Sequence, residues 1–266
     1  MKSIQERSDI FKKQMKESDV FDIDLWWDPY FEDGFVTYKD WDKQMADCKA
    51  RGINGGIITC RDAAFIDYKT GNDLLADLLA KEADKNFYGC MVLVPEVGYA
   101  DDKGEAYVRD LMAKGFVAAR LFPKTYIHSM QEYAIGPILD TLEKLGVPLM
   151  LWHTEASWDD MDRICDNHPN LNVIVEGHDR KLLYHARDYV GLMRKHKNFF
   201  VENHNLVLFD EYNTLKKMCG VDQLLYGSYF PYNEPNFALY PVAESDLTDE
   251  EKANILAGTA RKIFPL

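Results

Sequence analysis

Long apolar runs are missing from this sequence: nothing in it approaches the ~18 consecutive apolar residues of a membrane-spanning helix. The opening stretch MKSIQERSDIFKKQMKESDV also lacks the apolar core of a secretory leader. The expectation is a soluble cytoplasmic protein with no membrane partner. Basic charge is short as well. Thirty-one Lys and Arg stand against 44 Asp and Glu, a net charge of −13, and no basic cluster interrupts the deficit. Phosphate backbones need a basic surface, so a nucleic-acid partner is excluded. Cysteine is sparse and odd in number. Cys48, Cys60, Cys90, Cys165 and Cys219 form no Cys-x-x-Cys pair, which suits a reducing compartment rather than a disulfide framework. Where a dinucleotide-binding sheet would carry a Gly-rich turn after its first strand, this chain has DLWWDPYF. Linkers, low-complexity segments and short repeats are absent too, so residues 1–266 read as a single domain.

What remains is a rhythm. Hydrophobic residues make up 47% and charged residues 28% of the chain, enough apolar surface for a core and too much for disorder. Short apolar runs predict strands over residues 19–26, 55–60, 87–95, 116–123, 147–153, 171–178, 198–204 and 222–228. Amphipathic runs predict helices over 41–52, 72–85, 104–115, 136–146, 157–168, 185–196, 209–220 and 248–258. Asn72 and Ser157 stand as N-caps, Pro137 falls in a first turn, and Thr248 with Glu251 makes a capping-box pattern. Strand–helix alternation implies a parallel sheet. Eight units in a chain near the ~250 residues of a closed barrel imply an α/β fold of the (β/α)8 TIM-barrel type. Residues 1–18 read as a short helical extension.

Active sites of such barrels lie at the C-terminal strand ends. Side chains two apart share a strand face. Three consecutive predicted strands end in a Glu/His combination: His153 with Glu155, Glu176 with His178, and Glu202 with His204. Imidazole and carboxylate together suit Zn2+ or a similar divalent ion. The plainer alternative is a set of hydrogen-bonded core histidines. Asp22, Asp24 and Trp26 end the first strand, and Arg120 and Lys124 the fourth. The guanidinium and ammonium would fix an anionic substrate, or Arg120 would pair with an inward carboxylate. His128, His168, His185 and His196 read as surface residues. Aromatic residues crowd the loops after the first strand (Trp26, Trp27, Tyr30, Phe31, Phe35, Tyr38, Trp41) and the last (Tyr229, Phe230, Tyr232, Phe237, Tyr240). They predict either a wall for a small-molecule substrate with a flat ring or a sugar's apolar face, or a packed homodimer interface or loop core.

In this order along the chain, FDIDLWW, LEKLGVPLMLWHTE, HPNLNVIVEGH, LLYGSYFP and ILAGTARKIF resemble the amidohydrolase-related family of metal-dependent barrel hydrolases and decarboxylases. The resemblance implies a divalent metal, with His153 and His178 at two ligand positions. It also exposes departures. Asp24 and Trp26 stand where two further histidines belong, and Tyr229 stands where an aspartate serves the metal. The expected site is therefore a rebuilt one. Its metal ligands would be His153, His178 and Asp24, its catalytic groups Glu202, His204 and Arg120. Trp26, Trp27, Lys124, Glu155 and Tyr229 would line the substrate. Two alternatives stand beside it: a metal-independent enzyme on the same barrel, and a catalytically inactive homologue that binds a small molecule.

Overall fold

The computed structural model describes residues 6, 11, 17–30, 38–82, 86–178, 182–206 and 210–266. The helical extension expected over 1–18 therefore lies almost wholly outside the described residues, as do Phe31 and Phe35. Eight parallel strands, β1 (Phe21–Trp27), β2 (Gly55–Cys60), β3 (Phe87–Val92), β4 (Phe116–Arg120), β5 (Leu149–Trp152), β6 (Val173–Glu176), β7 (Phe199–Glu202) and β8 (Leu224–Leu225), pair in sequence order. Closure comes from β1 meeting the chain around β8. Ile23 N donates to Tyr226 O at 3.1 Å, and Trp26 N to Phe230 O at 2.8 Å. The chain is an α/β protein built as a (β/α)8 barrel. Strands buried on both faces read as continuous apolar runs, which is why GGIITC and VIVE show no polar alternation.

The helices are α1 (Trp41–Ala50), α2 (Arg61–Phe65), α3 (Tyr68–Lys81), α4 (Glu105–Ala113), α5 (Glu132–Leu145), α6 (Trp158–Asn167), α7 (Ala186–Lys195), α8 (Glu211–Met218), α9 (Asn236–Glu244), α10 (Asp249–Ala253) and α11 (Thr259–Ile263). Ser157 and Thr248 both cap as expected, each in a reciprocal capping box, with Asp160 and Glu251. Two expectations fail. Asp67, not Asn72, caps α3, whose Thr70 N donates to it. Asn72 instead lies buried inside the helix, bonded both ways to the backbone of Val92. Helix α5 begins at Glu132, so Pro137 sits inside it rather than in its first turn.

The lower half of the barrel is apolar. Phe21, Ile23, Met150, Ile174, Phe200 and Leu225 pack there against Ala257, Ala260 and Phe264 of the C-terminal helical segment. Polar side chains concentrate above this plug, toward the C-terminal strand ends. No helix among the described residues is long and apolar enough to cross a membrane.

Candidate active site at the strand ends

Arg120 ends β4 with 1% of its surface exposed. Its Nη2 donates to Asp24 Oδ1 on β1 at 2.7 Å and to Glu176 Oε1 on β6 at 2.6 Å. Beside this pair, Glu202 ends β7 and holds His204. The His204 Nδ1 lies 2.5 Å from Glu202 Oε2 and 3.5 Å from Asp24 Oδ2, while its backbone N donates to Glu202 Oε1. Asp24, Glu202 and His204 present ligand atoms within 4.8 Å of one another, all buried. Gly227 is glycine for a reason of space: a Cβ there would meet Glu202 Oε1 at 2.6 Å. Asp22 lies deeper in the same wall, its Oδ1 accepting from Asp24 N and Ser228 N at 3.0 Å each.

Four buried carboxyl groups (Asp22, Asp24, Glu176, Glu202) thus share the strand ends with one guanidinium, Arg120, and one imidazole, His204. Desolvation disfavours the charged form of each carboxyl. Burial pushes Asp22 up to about 7. It also raises Glu176, against the pull of Arg120, and Glu202, against the pull of His204. Burial works against the His204 imidazolium, but the Glu202 carboxylate outweighs it and lifts the imidazole above its ordinary range. His153 goes the other way, to about 4, chiefly by burial.

An aromatic cluster covers these groups. Trp26 is fully buried, donates from Nε1 to Asp24 Oδ1 at 2.8 Å, and lies 5.0 Å under the Arg120 guanidinium carbon. Its ring meets Trp152 at 5.2 Å and Tyr229 at 6.0 Å between centroids. The His178 ring stacks on Trp152 at 3.6 Å with 6° between planes. Tyr229 stacks on His204 at 5.3 Å, from a left-handed backbone with φ 59° that a tyrosine rarely adopts. At the outer edge, Arg61 reaches between Tyr30 and Phe65, 5.7 and 5.6 Å from their ring centroids, and pairs with Asp28 at 3.3 Å.

Asp24, Arg120, Glu202 and His204 are therefore brought together, with Trp26 and Tyr229 over them and His178 at the edge. Other predicted residues are placed elsewhere. On β5 the side chain that reaches the cluster is Trp152. His153 is half-buried, its Nδ1 3.2 Å from Glu176 O and its ring 5.3 Å from His185. Lys124 is exposed and its Nζ donates to Thr154 O, while Glu155 accepts from Lys124 N and Thr125 N. Trp27 points to the outer side and packs on Trp41 at 5.5 Å. The predicted wall thus splits into an inner group around Trp26 and an outer group against α1. Sequence reading missed Trp152, Phe122, Phe65 and Arg61. The parity of Met150 and Trp152 against Glu176 was the signal for the first of these. His168 and His196, read as surface residues, are 4% and 6% exposed, because each is tucked against carboxylates of the preceding helix.

The fold and this cluster define a barrel protein with buried acid–base groups at its strand ends. The profile of the amidohydrolase family matches residues 36–266, and the chain belongs to that family. No curated protein matches it in sequence. Among solved structures it resembles 5-carboxyvanillate decarboxylase from Novosphingobium aromaticivorans DSM 12444, complexed with manganese and 4-hydroxy-3-methoxy-5-nitrobenzoic acid. That match has TM-score 0.71 and 15% identity, covering 94% of this chain and 97% of the other. It also resembles a dihydroxybenzoic acid decarboxylase from Polaromonas sp. JS666, with bound manganese and the inhibitor 2-nitroresorcinol (TM-score 0.67, 16% identity, 92% and 96% covered). A third likeness is to 2,6-dihydroxybenzoate decarboxylase from Rhizobium (TM-score 0.65, 15% identity, 92% and 98% covered). At these identities the likeness is one of fold.

Proposed function

We propose that this chain is a hydrolase or carbon–carbon lyase for a small, ring-bearing carboxylate, served by a divalent ion between Asp24, Glu202 and His204. The observation that carries the reading is that buried three-residue cluster. Its residues fit an ion. Among the described residues Asp24 Oδ2 is buried without a hydrogen-bond partner. A divalent ion there would polarise a carbonyl or acidify a water. The chain itself supplies the rest. Arg61, a third exposed, offers its guanidinium to a carboxylate while Tyr30 and Phe65 flank the ring. His178, half-buried against Trp152, is placed to give or take a proton at the bound ring. The decarboxylases of similar fold, two of them holding manganese and a nitro-substituted ring, support this substrate class.

The test is metal content of protein purified without chelator or affinity tag, followed by turnover of hydroxylated benzoates before and after chelation. One equivalent lost in both Glu202→Gln and His204→Asn, with turnover abolished by chelation and restored by one ion, is the expected outcome. Loss in His153→Asn instead would move the ion to the ligand set His153, His178 and Asp24. A second reading has its own observation. Glu202 Oε2 and His204 Nδ1, 2.5 Å apart, can share a proton in place of an ion, and Arg120 already supplies a fixed cation. Turnover unaffected by chelation would replace the first reading with that metal-independent one.

A further inference from the structure

Away from the strand ends, His168 caps the C-terminus of α6 and is buried against α5. Three carboxylates of α5 surround its ring. Nε2 lies 3.2 Å from Glu132 Oε2, and Nδ1 lies 3.7 Å from Asp140 Oδ1 and 3.6 Å from Glu143 Oε2. Each carboxylate has its other oxygen tied down. Glu132 Oε1 accepts from Asn167 Nδ2, Asp140 Oδ2 from Lys103 Nζ, and Glu143 Oε1 from Asn170 N. So one oxygen of each is turned toward the imidazole. Among the described residues, the buried Nδ1 has no hydrogen-bond partner. With Nε2–H donated to Glu132, the two carboxylate oxygens facing Nδ1 call for a positive charge between them, a proton on Nδ1 or a metal ion bound to it. A histidine whose far nitrogen donates to a carboxylate is the usual support of a metal-bound imidazole.

We propose that His168 Nδ1, Asp140 and Glu143 form a second divalent-cation site, between α5 and α6 and separate from the strand-end cluster. One imidazole and two carboxylates select Zn2+ or Mn2+ over Ca2+ or Mg2+. Asp140 and Glu143 stand three apart on one helical face. The three donors do not yet form a closed cluster. Closing them takes a turn of Asp140, 48% exposed, that would exchange its 2.6 Å contact with Lys103 Nζ for the ion. In the more compact group Asp162, Asp166 and His196, Lys195 bridges both carboxylates, at 2.7 and 2.8 Å, whereas at His168 a lysine, Lys103, holds Asp140 alone. The ion at His168 would fasten α5 to the turn after α6 and act on stability, not on chemistry.

The test uses the whole chain, with Zn2+ and Mn2+ as probes. Calorimetric titration of the wild type, Glu143→Gln and His204→Asn is paired with anomalous diffraction from a Mn2+-soaked crystal. Expected are a peak beside His168 Nδ1, one equivalent lost in Glu143→Gln, unchanged turnover in that variant, and a Zn2+-induced rise in Tm that it lacks. Glu143→Gln keeps an oxygen able to accept from Asn170 N, and a metal-free Tm equal to the wild type's checks that folding is preserved. Unchanged stoichiometry in Glu143→Gln, no peak, and a side-chain nitrogen spectrum showing Nδ1 protonated at neutral pH would overturn the proposal and make a proton the occupant. Because His204→Asn reports only the strand-end site, failure there with a loss in Glu143→Gln would sink the proposed function and leave this site standing.

Discussion

Arg120 decides more than any other residue in this protein, because one guanidinium neutralises carboxylates from two different strands. Breaking a buried pair by removing one partner leaves uncompensated charge, at about 3–5 kcal/mol. Arg120→Met should therefore lose stability of that order in urea unfolding, with Glu176→Gln added to it recovering part of the loss. Asp22 makes a pH prediction. Its carboxyl sits near 7 in the fold against 3.8 ordinarily. Between those values the native state holds a proton that the unfolded state has lost, so stability falls as pH rises from about 4 to about 7. Asp22→Asn keeps the oxygen that accepts from Asp24 N and Ser228 N and removes that dependence. Its Tm relative to wild type should climb across that window and level off above it; a flat difference would refute the assignment. At this scale the sequence was readable only in part. Strand-end chemistry was visible as residue types, but which neighbour points inward on β5 turned on a one-residue parity that a four-residue strand barely displays.

At the scale of elements, the strand–helix rhythm survives intact while its boundaries move. Buried parallel strands continue into apolar flanks that make only single bonds to the sheet, such as Ile23 N to Tyr226 O and His153 N to Glu176 O, so the apolar runs over 222–228 and 147–153 shrink to β8 and β5. The break between Ile66 and Tyr68 splits what periodicity alone cannot split, a short α2 and a longer α3 folded back on it. That contact is close enough to test. A Cβ at Gly71 would stand 2.0 Å from Ala63 N and 2.4 Å from Ala63 Cα, which are backbone atoms that cannot yield cheaply. Gly71→Ala should cost about 1–3 kcal/mol or more from overpacking. In α7, Gly191 has nothing within 4 Å of the same added atom. Gly191→Ala should instead gain about 0.4–1 kcal/mol through the unfolded chain. Equal effects of the two in thermal unfolding would mean that α2 and α3 do not touch as described.

For the whole molecule, the net charge of −13 and the proposed anionic substrate pull against each other. An acidic protein repels a carboxylate at long range, while Arg61 attracts it only once it has reached the mouth. Ions at 0.1 M screen exposed charges beyond about 10 Å, so added salt removes the repulsion first and leaves the close contact. The association rate of a ring-bearing carboxylate should therefore rise as salt goes from about 10 to about 150 mM. In Arg61→Gln it should rise by a similar factor from a lower affinity. Stopped-flow quenching of Trp26 and Trp152, which sit in the aromatic cluster beneath Phe65, provides the signal. A rate that falls with salt in the wild type but not in Arg61→Gln would show that the local guanidinium, not the overall charge, governs encounter. A uniform response with no loss of affinity in Arg61→Gln would remove Arg61 from the binding site and return the anion to the interior, where Arg120 already has two partners.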